Sequence, residues 1–141
     1  MVSAMLRFLA AVAAALTLAA CSSSSSSSGV RPETPARIEI VQPSPNQTLP
    51  PTFPVTVNLI GAKVVPAQVS GGTLKPDEGH IHIILDGKVI DTAAGTTREM
   101  TNLPPGPHTI QAEFVAADHA PFRNRVVAAV AVDVAASPPP S

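Results

Sequence analysis

Short runs in which apolar and polar residues alternate recur along this chain, and turn-forming residues separate them. Three of the clearest are Arg37–Val41, Pro54–Ile60 and Thr109–Phe114. Pro-Pro, Gly-Gly and Asp-Gly pairs, among sixteen prolines and eight glycines in all, interrupt the alternation between such runs. Because successive side chains of a strand point to opposite faces, a period of two predicts strands that bury one face. The chain is therefore predicted to be an all-β protein.

About seven short strands are expected, at a spacing that is typical of a sandwich of two antiparallel sheets. They cover residues 37–41, 54–60, 81–85, 88–90, 98–102, 109–114 and 126–134. We expect these strands to form one domain over residues 36–135. Their inward-facing positions predict a core that includes Val57, Ile81, Ile83, Leu85, Ile110 and Phe114.

The first twenty residues have the layout of a secretory signal peptide. Arg7 precedes the apolar run Phe8–Ala20, which ends in small residues. This run has 13 residues, whereas a helix that spans a membrane needs about 20. We therefore predict that residues 1–20 are removed and that the mature protein is extracytoplasmic.

The residues Leu18-Ala19-Ala20-Cys21 resemble the lipobox of bacterial lipoproteins. The resemblance implies cleavage before Cys21, a diacylglycerol thioether on its sulfur and usually an acyl chain, such as palmitate, on its amine. Two or more acyl chains anchor a protein stably to a membrane. Cys21 is the only cysteine, so no disulfide can form within the chain. The expected location is the outer membrane or the outer face of the cytoplasmic membrane.

Residues 21–35 are predicted to form a linker, because Ser22–Ser28 and the Gly and Pro residues after them cannot pack a core. Residues 136–141 are predicted to be an unfolded, proline-rich tail. Removal of the signal peptide, whose only charge is Arg7, takes the formal net charge from −1 to −2. A chain with this balance lacks the basic surface with which proteins bind nucleic acid.

Two segments give the predicted sandwich a closer resemblance. The stretch Ile83-Ile-Leu-Asp-Gly-Lys-Val-Ile and the later stretch Leu103-Pro-Pro-Gly-Pro-His-Thr-Ile-Gln-Ala-Glu-Phe resemble strands of bacterial immunoglobulin-like modules. In those modules a strand ending in Asp-Gly is followed by a Pro-Gly turn into the next long strand. The resemblance implies an immunoglobulin-like β-sandwich and, because this fold serves many functions, no particular activity.

A narrower resemblance involves the histidines. The phrases Gly79-His-Ile-His and Ala117-Asp-His-Ala-Pro-Phe resemble those of a group of small secreted or lipid-anchored bacterial domains. These domains have a Gly-His-x-His strand and an Asp-His or Asn-His pair near their final strands. The resemblance draws attention to the same histidines as the strand pattern does, and it names no activity.

Three of the four histidines are predicted to converge on the outer face of one sheet. Alternation places Ile81 and Ile83 inside, and therefore His80 and His82 outside; on the later strand it places His119 outside if the strand extends that far. In an immunoglobulin-like sandwich the two strands are antiparallel neighbours, so the start of one lies beside the end of the other. Three imidazoles so placed would suit zinc or copper. The alternative is that they are solvated residues on the wet face of a strand.

Other residues near the predicted cluster have supporting or separate roles. Asp77, Glu78 and Asp118 are candidates for a fourth metal ligand or for orienting an imidazole. His108 enters its strand at the opposite end, directly after the Pro-Gly turn, and is predicted to pack in that turn. The long segment 62–78 joins two strands at the histidine end, where its length suits a binding loop and is equally compatible with an ordinary one.

The sequence leaves two classes of function open. One is a non-enzymatic module that presents a sheet face or loops to a protein or envelope partner. The other is a lipoprotein that buffers or delivers zinc or copper(II). No serine-hydrolase elbow, phosphate loop or zinc-protease helix motif occurs, which argues against an enzyme. The mature chain has no Trp or Tyr and only three Phe residues, which argues against carbohydrate held by aromatic stacking.

Overall fold

The computed structural model describes residues 30–66, 73–93 and 95–136 of the chain. The predicted signal peptide, Cys21 and its lipid, the serine run and the end of the tail lie outside these ranges. Part of the long segment 62–78 also lies outside them. The predictions made for those residues therefore stay predictions.

Nine strands make up the described chain. They are β1 (Arg37–Gln42), β2 (Gln47–Leu49), β3 (Phe53–Ile60), β4 (Lys63–Val64), β5 (Glu78–Leu85), β6 (Lys88–Ala93), β7 (Thr97–Met100), β8 (Gly106–Ala116) and β9 (Pro121–Val134). Seven of them match the predicted strands. The two additional ones, β2 and β4, have three and two residues and are too short to show an alternation in the sequence.

The strands form two sheets that pack face to face. The smaller sheet has the order β1-β3-β7, and the larger sheet has the order β2-β9-β8-β5-β4 with β6 also paired to β5. Every pair between long strands is antiparallel, whereas the short strands β2 and β4 pair parallel to β9 and β5. In an immunoglobulin-like sandwich the strands A, B and E form one sheet and C, F and G the other. The order found here follows that scheme, with β1, β3 and β7 opposite β5, β8 and β9. The predicted immunoglobulin-like β-sandwich is confirmed.

The core lies between the two sheets and is built from their inward-facing aliphatic side chains. Of the six predicted core residues, five are buried in it, and Leu85 is partly buried against it. All three phenylalanines of the described chain are buried, and the rings of Phe114 and Phe122 stack with their centroids 5.3 Å apart. None of the phenylalanine rings of the described residues is therefore left on the surface.

The described chain packs against β9 from Arg31 onward, ahead of the predicted start of the domain at residue 36. Thr34 and Asn124 exchange two hydrogen bonds, since the Thr34 amide donates to the Asn124 side-chain oxygen and the Asn124 side-chain amide donates to the Thr34 carbonyl, both at 2.8 Å. The Arg123 amide donates to the Pro32 carbonyl at 3.1 Å. Residues 31–34 thus lie along the beginning of β9.

We predict that Phe114→Ala lowers the free energy of unfolding by roughly 3–5 kcal/mol, because it leaves a cavity between the sheets and removes the stack with Phe122. Urea unfolding followed by far-ultraviolet circular dichroism measures the change. Val127→Ala, at an exposed position of β9, is the control and should shift stability by about 0.5 kcal/mol or less. Equal effects of the two substitutions would contradict the assigned core.

Candidate functional site

The histidine cluster (His80, His82 and His119) lies at the end of the larger sheet where β5 begins and β8 ends. In the antiparallel pairing of these strands His80 is opposite Val115 and His82 is opposite Glu113. The ring centroids of His80 and His119 are 4.3 Å apart, and those of His82 and His119 are 5.6 Å apart. The predicted convergence of these three imidazoles is confirmed.

His119 reaches the cluster because of the tight turn that joins β8 to β9. The His119 amide donates to the Ala116 carbonyl at 2.9 Å, and the Ala116 amide donates to the Ala120 carbonyl at 3.0 Å. His119 itself has a φ of 62°. This is a three-residue hairpin loop whose last residue is left-handed, a position that glycine usually fills. An imidazole at a left-handed position costs backbone energy, and such strain is concentrated at functional sites.

His80 differs from the other two because it is buried. Only 1% of its surface is exposed, so the prediction that it stands on the wet face is wrong. Its Nδ1 lies 3.0 Å from the Val65 carbonyl oxygen, and its Nε2 lies 3.3 Å from the Ala117 carbonyl oxygen. Period-two alternation gives the direction of a side chain but not what covers it, and here the chain after β4 and the end of β8 cover the ring. Both nitrogens of His80 therefore face carbonyl oxygens rather than the other imidazoles.

His82 and His119 form the accessible half of the cluster. The His82 Nε2 and the His119 Nδ1 are 3.3 Å apart and share a hydrogen bond, in which the tautomers of the two rings decide which nitrogen donates. His82 is partly buried and His119 is exposed. Burial, together with the nearby His119, lowers the pKa of His82, against a smaller opposing effect of the Glu113 carboxylate. Around neutral pH the His82 ring is thus held in its neutral form, with a nitrogen lone pair available.

A glycine allows β5 to begin where it does. Gly79 pairs with Ala116 of β8, and a Cβ atom at Gly79 would lie 1.9 Å from the Val115 carbonyl oxygen. Any larger residue would push the start of β5 away from β8. The glycine of the Gly-His-Ile-His phrase thus serves the close approach that brings the two histidine-bearing strand ends together.

The carboxylates near the cluster are held by arginines. Both oxygens of Asp118 accept hydrogen bonds from Arg31, at 2.7 and 2.9 Å, and this pairing lowers the pKa of Asp118 to about 2. Both oxygens of Glu113 accept hydrogen bonds from Arg125 at 2.8 Å. Glu113 is only 4% exposed, so its charge is compensated where it is buried.

The three acids predicted to help the cluster are placed as follows. Asp118 is adjacent to His119, but both of its carboxylate oxygens accept hydrogen bonds from Arg31. Glu78 forms an ion pair with Lys75 at 3.0 Å, and the Asp77 backbone carbonyl accepts a hydrogen bond from the Lys63 amide at 2.8 Å. Within the described ranges, no group of three or more His, Cys, Asp or Glu side chains is arranged to hold a metal ion.

His108 lies at the other end of β8, as predicted, and packs in the turn there. Its Nδ1 is 2.7 Å from the Asp86 carboxylate and its Nε2 is 2.8 Å from the Pro104 carbonyl oxygen. Hydrogen bonds to Asp86 and to Pro104 raise the pKa of His108. Asp86 also accepts a hydrogen bond from the Thr109 amide at 2.8 Å. His108 therefore joins the Asp-Gly hairpin of β5 and β6 to the start of β8.

Three residues of the site, Glu113, Arg125 and Arg31, were not predicted as partners of the histidines. Alternation on β8 together with the antiparallel register could have placed Glu113 on the outer face opposite His82. Arg125 follows from the same alternation on β9. Arg31 had no signal, because it lies in a segment that the composition assigns to the linker.

A further cleft lies away from the histidine cluster, between β1, β2 and the start of β3. It is lined by Gln42, Pro43, Ser44, Gln47, Leu49, Phe53 and Pro54. None of these side chains titrates, so the cleft offers no acid, base or charged nucleophile.

No helix of the described residues is both long enough and apolar enough to cross a membrane.

Comparisons with known proteins give likenesses of fold only. No protein-family model matches the chain, and no curated protein matches it. An endo-beta-1,4-mannanase from Thermotoga petrophila shares 12% identity at a TM-score of 0.48, over 72% of this chain and 20% of that one. Fibronectin(III)-like modules of Clostridium thermocellum CbhA share 15% identity at 0.45, over 70% and 46%.

The PKD domain from human KIAA0319 shares 19% identity at a TM-score of 0.44, over 84% of this chain and 98% of that domain. The chain spans a fifth of the mannanase chain and less than half of the CbhA chain. Scores and identities at this level carry nothing about ligands or activity. The assignment to the immunoglobulin-like fold rests on the strand order described above.

We predict that His119→Gly keeps the free energy of unfolding within about 1 kcal/mol of the parent, because glycine relieves a left-handed residue that costs roughly 1–2 kcal/mol. The relief offsets the loss of the ring contacts with His80 and His82. His119→Ala, which loses the ring without relieving the backbone, should be less stable than His119→Gly. Thermal unfolding of the three proteins measures the difference. A glycine variant less stable than the alanine variant would refute the strained turn.

Proposed function

We propose that this chain is a lipid-anchored, extracytoplasmic module of the cell envelope that binds a ligand and catalyses no reaction. The lipobox resemblance at Cys21 supports the anchor, and the immunoglobulin-like sandwich is a fold that commonly serves binding. The ligand that the site geometry favours is a divalent metal ion held by His82 and His119.

The distance between two ring nitrogens carries this proposal. Ligands at the zinc–nitrogen distance of 2.0–2.1 Å in a tetrahedral site lie about 3.3–3.4 Å from each other. The His82 Nε2 and the His119 Nδ1 are 3.3 Å apart. In the metal-free chain this separation is that of a hydrogen bond between the two rings. A metal that replaced the bridging proton would find the two nitrogens already at the spacing of zinc ligands.

The protonation chemistry of the pair is compatible with metal binding. Each neutral imidazole has one nitrogen with a proton and one with a lone pair. His82 can keep its proton on Nδ1 and His119 on Nε2, which leaves the two facing nitrogens free for zinc. The lowered pKa of His82 favours the neutral ring that a metal requires.

The neighbouring residues favour binding over catalysis. A hydrolytic zinc site needs a general acid or base beside the metal-bound water. The two carboxylates nearest the histidine pair, Glu113 and Asp118, are each held at both oxygens by an arginine. In this arrangement they balance charge and position the turn. His80, the third predicted ligand, has both nitrogens directed at carbonyl oxygens and is assigned a packing role.

The second candidate function is the binding of a protein or envelope partner by the outer face of the larger sheet. The observation that favours it is a row of exposed, uncharged positions on β9, namely Val127, Ala129 and Ala131. Val89 on β6 is 50% exposed. Apolar side chains at uncovered positions of a sheet are typical of contact surfaces.

We predict that zinc binds to the parent protein at neutral pH and that His82→Ala and His119→Gly each abolish the binding. Below about pH 6 binding should weaken, since protons compete for the imidazole nitrogens. Isothermal titration calorimetry measures both effects. His108→Gln, which removes the histidine at the other end of β8, is the matched control and should bind zinc like the parent. Loss of binding only in the His108 variant would exclude the proposed site.

We predict that Cys21→Ala moves the protein from the membrane fraction to the soluble fraction, because the variant has no sulfur to carry the diacylglycerol. Fractionation of cells followed by immunoblotting measures the partition. Ser22→Ala, next to the lipidated position, is the control and should stay membrane-bound. A Cys21→Ala protein that remains in the membrane fraction would overturn the proposed anchor.

A further inference from the structure

We propose that one zinc ion at the His82–His119 pair is shared by two copies of the chain, each of which supplies two imidazoles. This inference rests on the zinc site proposed above and adds how the coordination is completed. Zinc in structural sites is four-coordinate, and its ligands are nearly always protein side chains. Among the described residues the chain supplies two imidazole nitrogens 3.3 Å apart, and the third imidazole beside them, His80, has both nitrogens directed at carbonyl oxygens.

The other polar side chains of the chain near the pair already have hydrogen-bond or ion-pair partners. We therefore assign the missing ligands to a second copy. His80 faces the carbonyl oxygens of Val65 and Ala117. Glu113 and Asp118 are occupied by Arg125 and Arg31. A second copy placed by a two-fold axis through the metal offers the same two nitrogens at the same 3.3 Å separation. Two such pairs on opposite sides of one ion make a tetrahedron.

The surface around the pair can be covered by a second copy. In the register of the larger sheet, His82 is opposite Glu113, and Glu113 is opposite Val127. With strands about 4.8 Å apart, Val127 lies roughly 10 Å from His82 along this row. Val127 is 41% exposed, and Ala129 and Ala131 follow it on the same face. Glu113 of this row forms an ion pair with the neighbouring Arg125, so a contact here buries no unpaired charge at that position.

The position of the N-terminal segment suits two copies on one membrane. Arg31 donates to both oxygens of Asp118, next to His119, and to the Ala120 carbonyl at 2.8 Å. The chain therefore enters the domain at the same end as the histidine pair, ten residues after Cys21. A two-fold axis perpendicular to the membrane would place both histidine ends, and both tethers, on the membrane side. Anchoring confines the copies to one surface and raises their effective concentration.

The symmetry predicts a closed dimer. In an isologous contact the same patch of each copy meets its own counterpart, and the assembly ends at two. Since each zinc needs all four imidazoles, the expected stoichiometry is one zinc ion for two chains. The zinc supplies much of the binding energy, so the protein contact can be smaller than the roughly 1,200 Å² that stable interfaces without a metal bury.

The test uses the full-length, lipidated protein purified in detergent, with zinc chloride as the probe. Zinc bound per chain is measured by elemental analysis after dialysis, and mass is measured by sedimentation in a density-matched detergent. We expect half a zinc ion per chain and a dimer that returns to single chains when a chelator is added. His119→Gly should give neither zinc nor dimer. Val127→Arg, which puts a charged side chain into the apolar part of the contact and keeps both imidazoles, should weaken the dimer at least tenfold.

The possible results distinguish a zinc ion shared by two copies from the two-histidine zinc site of a single chain. One zinc ion per chain on single copies would overturn the shared site and leave the two-histidine zinc site in place. Absence of zinc binding by the parent would overturn both. Assemblies larger than two chains would contradict the closed two-fold contact. A Val127→Arg protein that dimerises with parental affinity would show that the outer sheet face is not the contact.

Discussion

The antiparallel pairing of β5 with β8 is the interaction on which the rest of this structure depends. The pairing places Ile81 opposite Phe114 on the inner face and His82 opposite Glu113 on the outer face. Because a strand has a period of two, a slip of one residue would exchange these faces along the whole strand. The same register therefore builds the core and the histidine site. At the far end the Asp86 carboxylate, which bonds to both His108 and the Thr109 amide, holds the register.

Two positions shape the histidine end of the sheet, and each restricts which residue the chain can have there. Gly79 admits β8 so closely that a Cβ atom there would meet the Val115 carbonyl. His119 occupies a left-handed position, with a φ of 62°, where glycine would be the unstrained choice. Its ring stacks on His80 and shares a hydrogen bond with His82. Arg31 adds to this end by holding Asp118, the residue before His119.

The sequence predicted most of the fold because strand alternation and turn residues are local signals. Arg37–Val41, Pro54–Ile60 and Thr109–Phe114 all lie in strands of the structure, and the Asp86-Gly87 hairpin forms where it was expected. The very short strands β2 and β4 could not be predicted, because two or three residues show no period. For the site, strand alternation and the antiparallel pairing of β5 with β8 were enough to predict that His82 lies beside His119.

The sequence could not predict which other segments of the chain cover a residue and bury it. His80 points to the same side as His82, yet it is buried, and the carbonyl oxygens of Val65, just after β4, and of Ala117, just after β8, face its ring. The contacts of Arg31 with Asp118 join positions 87 residues apart, in a segment whose composition predicts a linker. Long-range contacts of irregular segments leave no periodic signal. Consequently the sequence grouped three equivalent histidines where the structure has one buried ring and one accessible pair.

Nitrogen NMR of the histidine rings tests most directly whether the β5–β8 register presents two particular nitrogens for a metal. In a protein labelled with 15N at histidine, we predict that zinc shifts the resonances of the His82 Nε2 and the His119 Nδ1 to values typical of a metal-bound imidazole. The rings of His80 and His108 should keep their resonances. Zinc-induced shifts at His80 or His108, or none at any of the four rings, would contradict it.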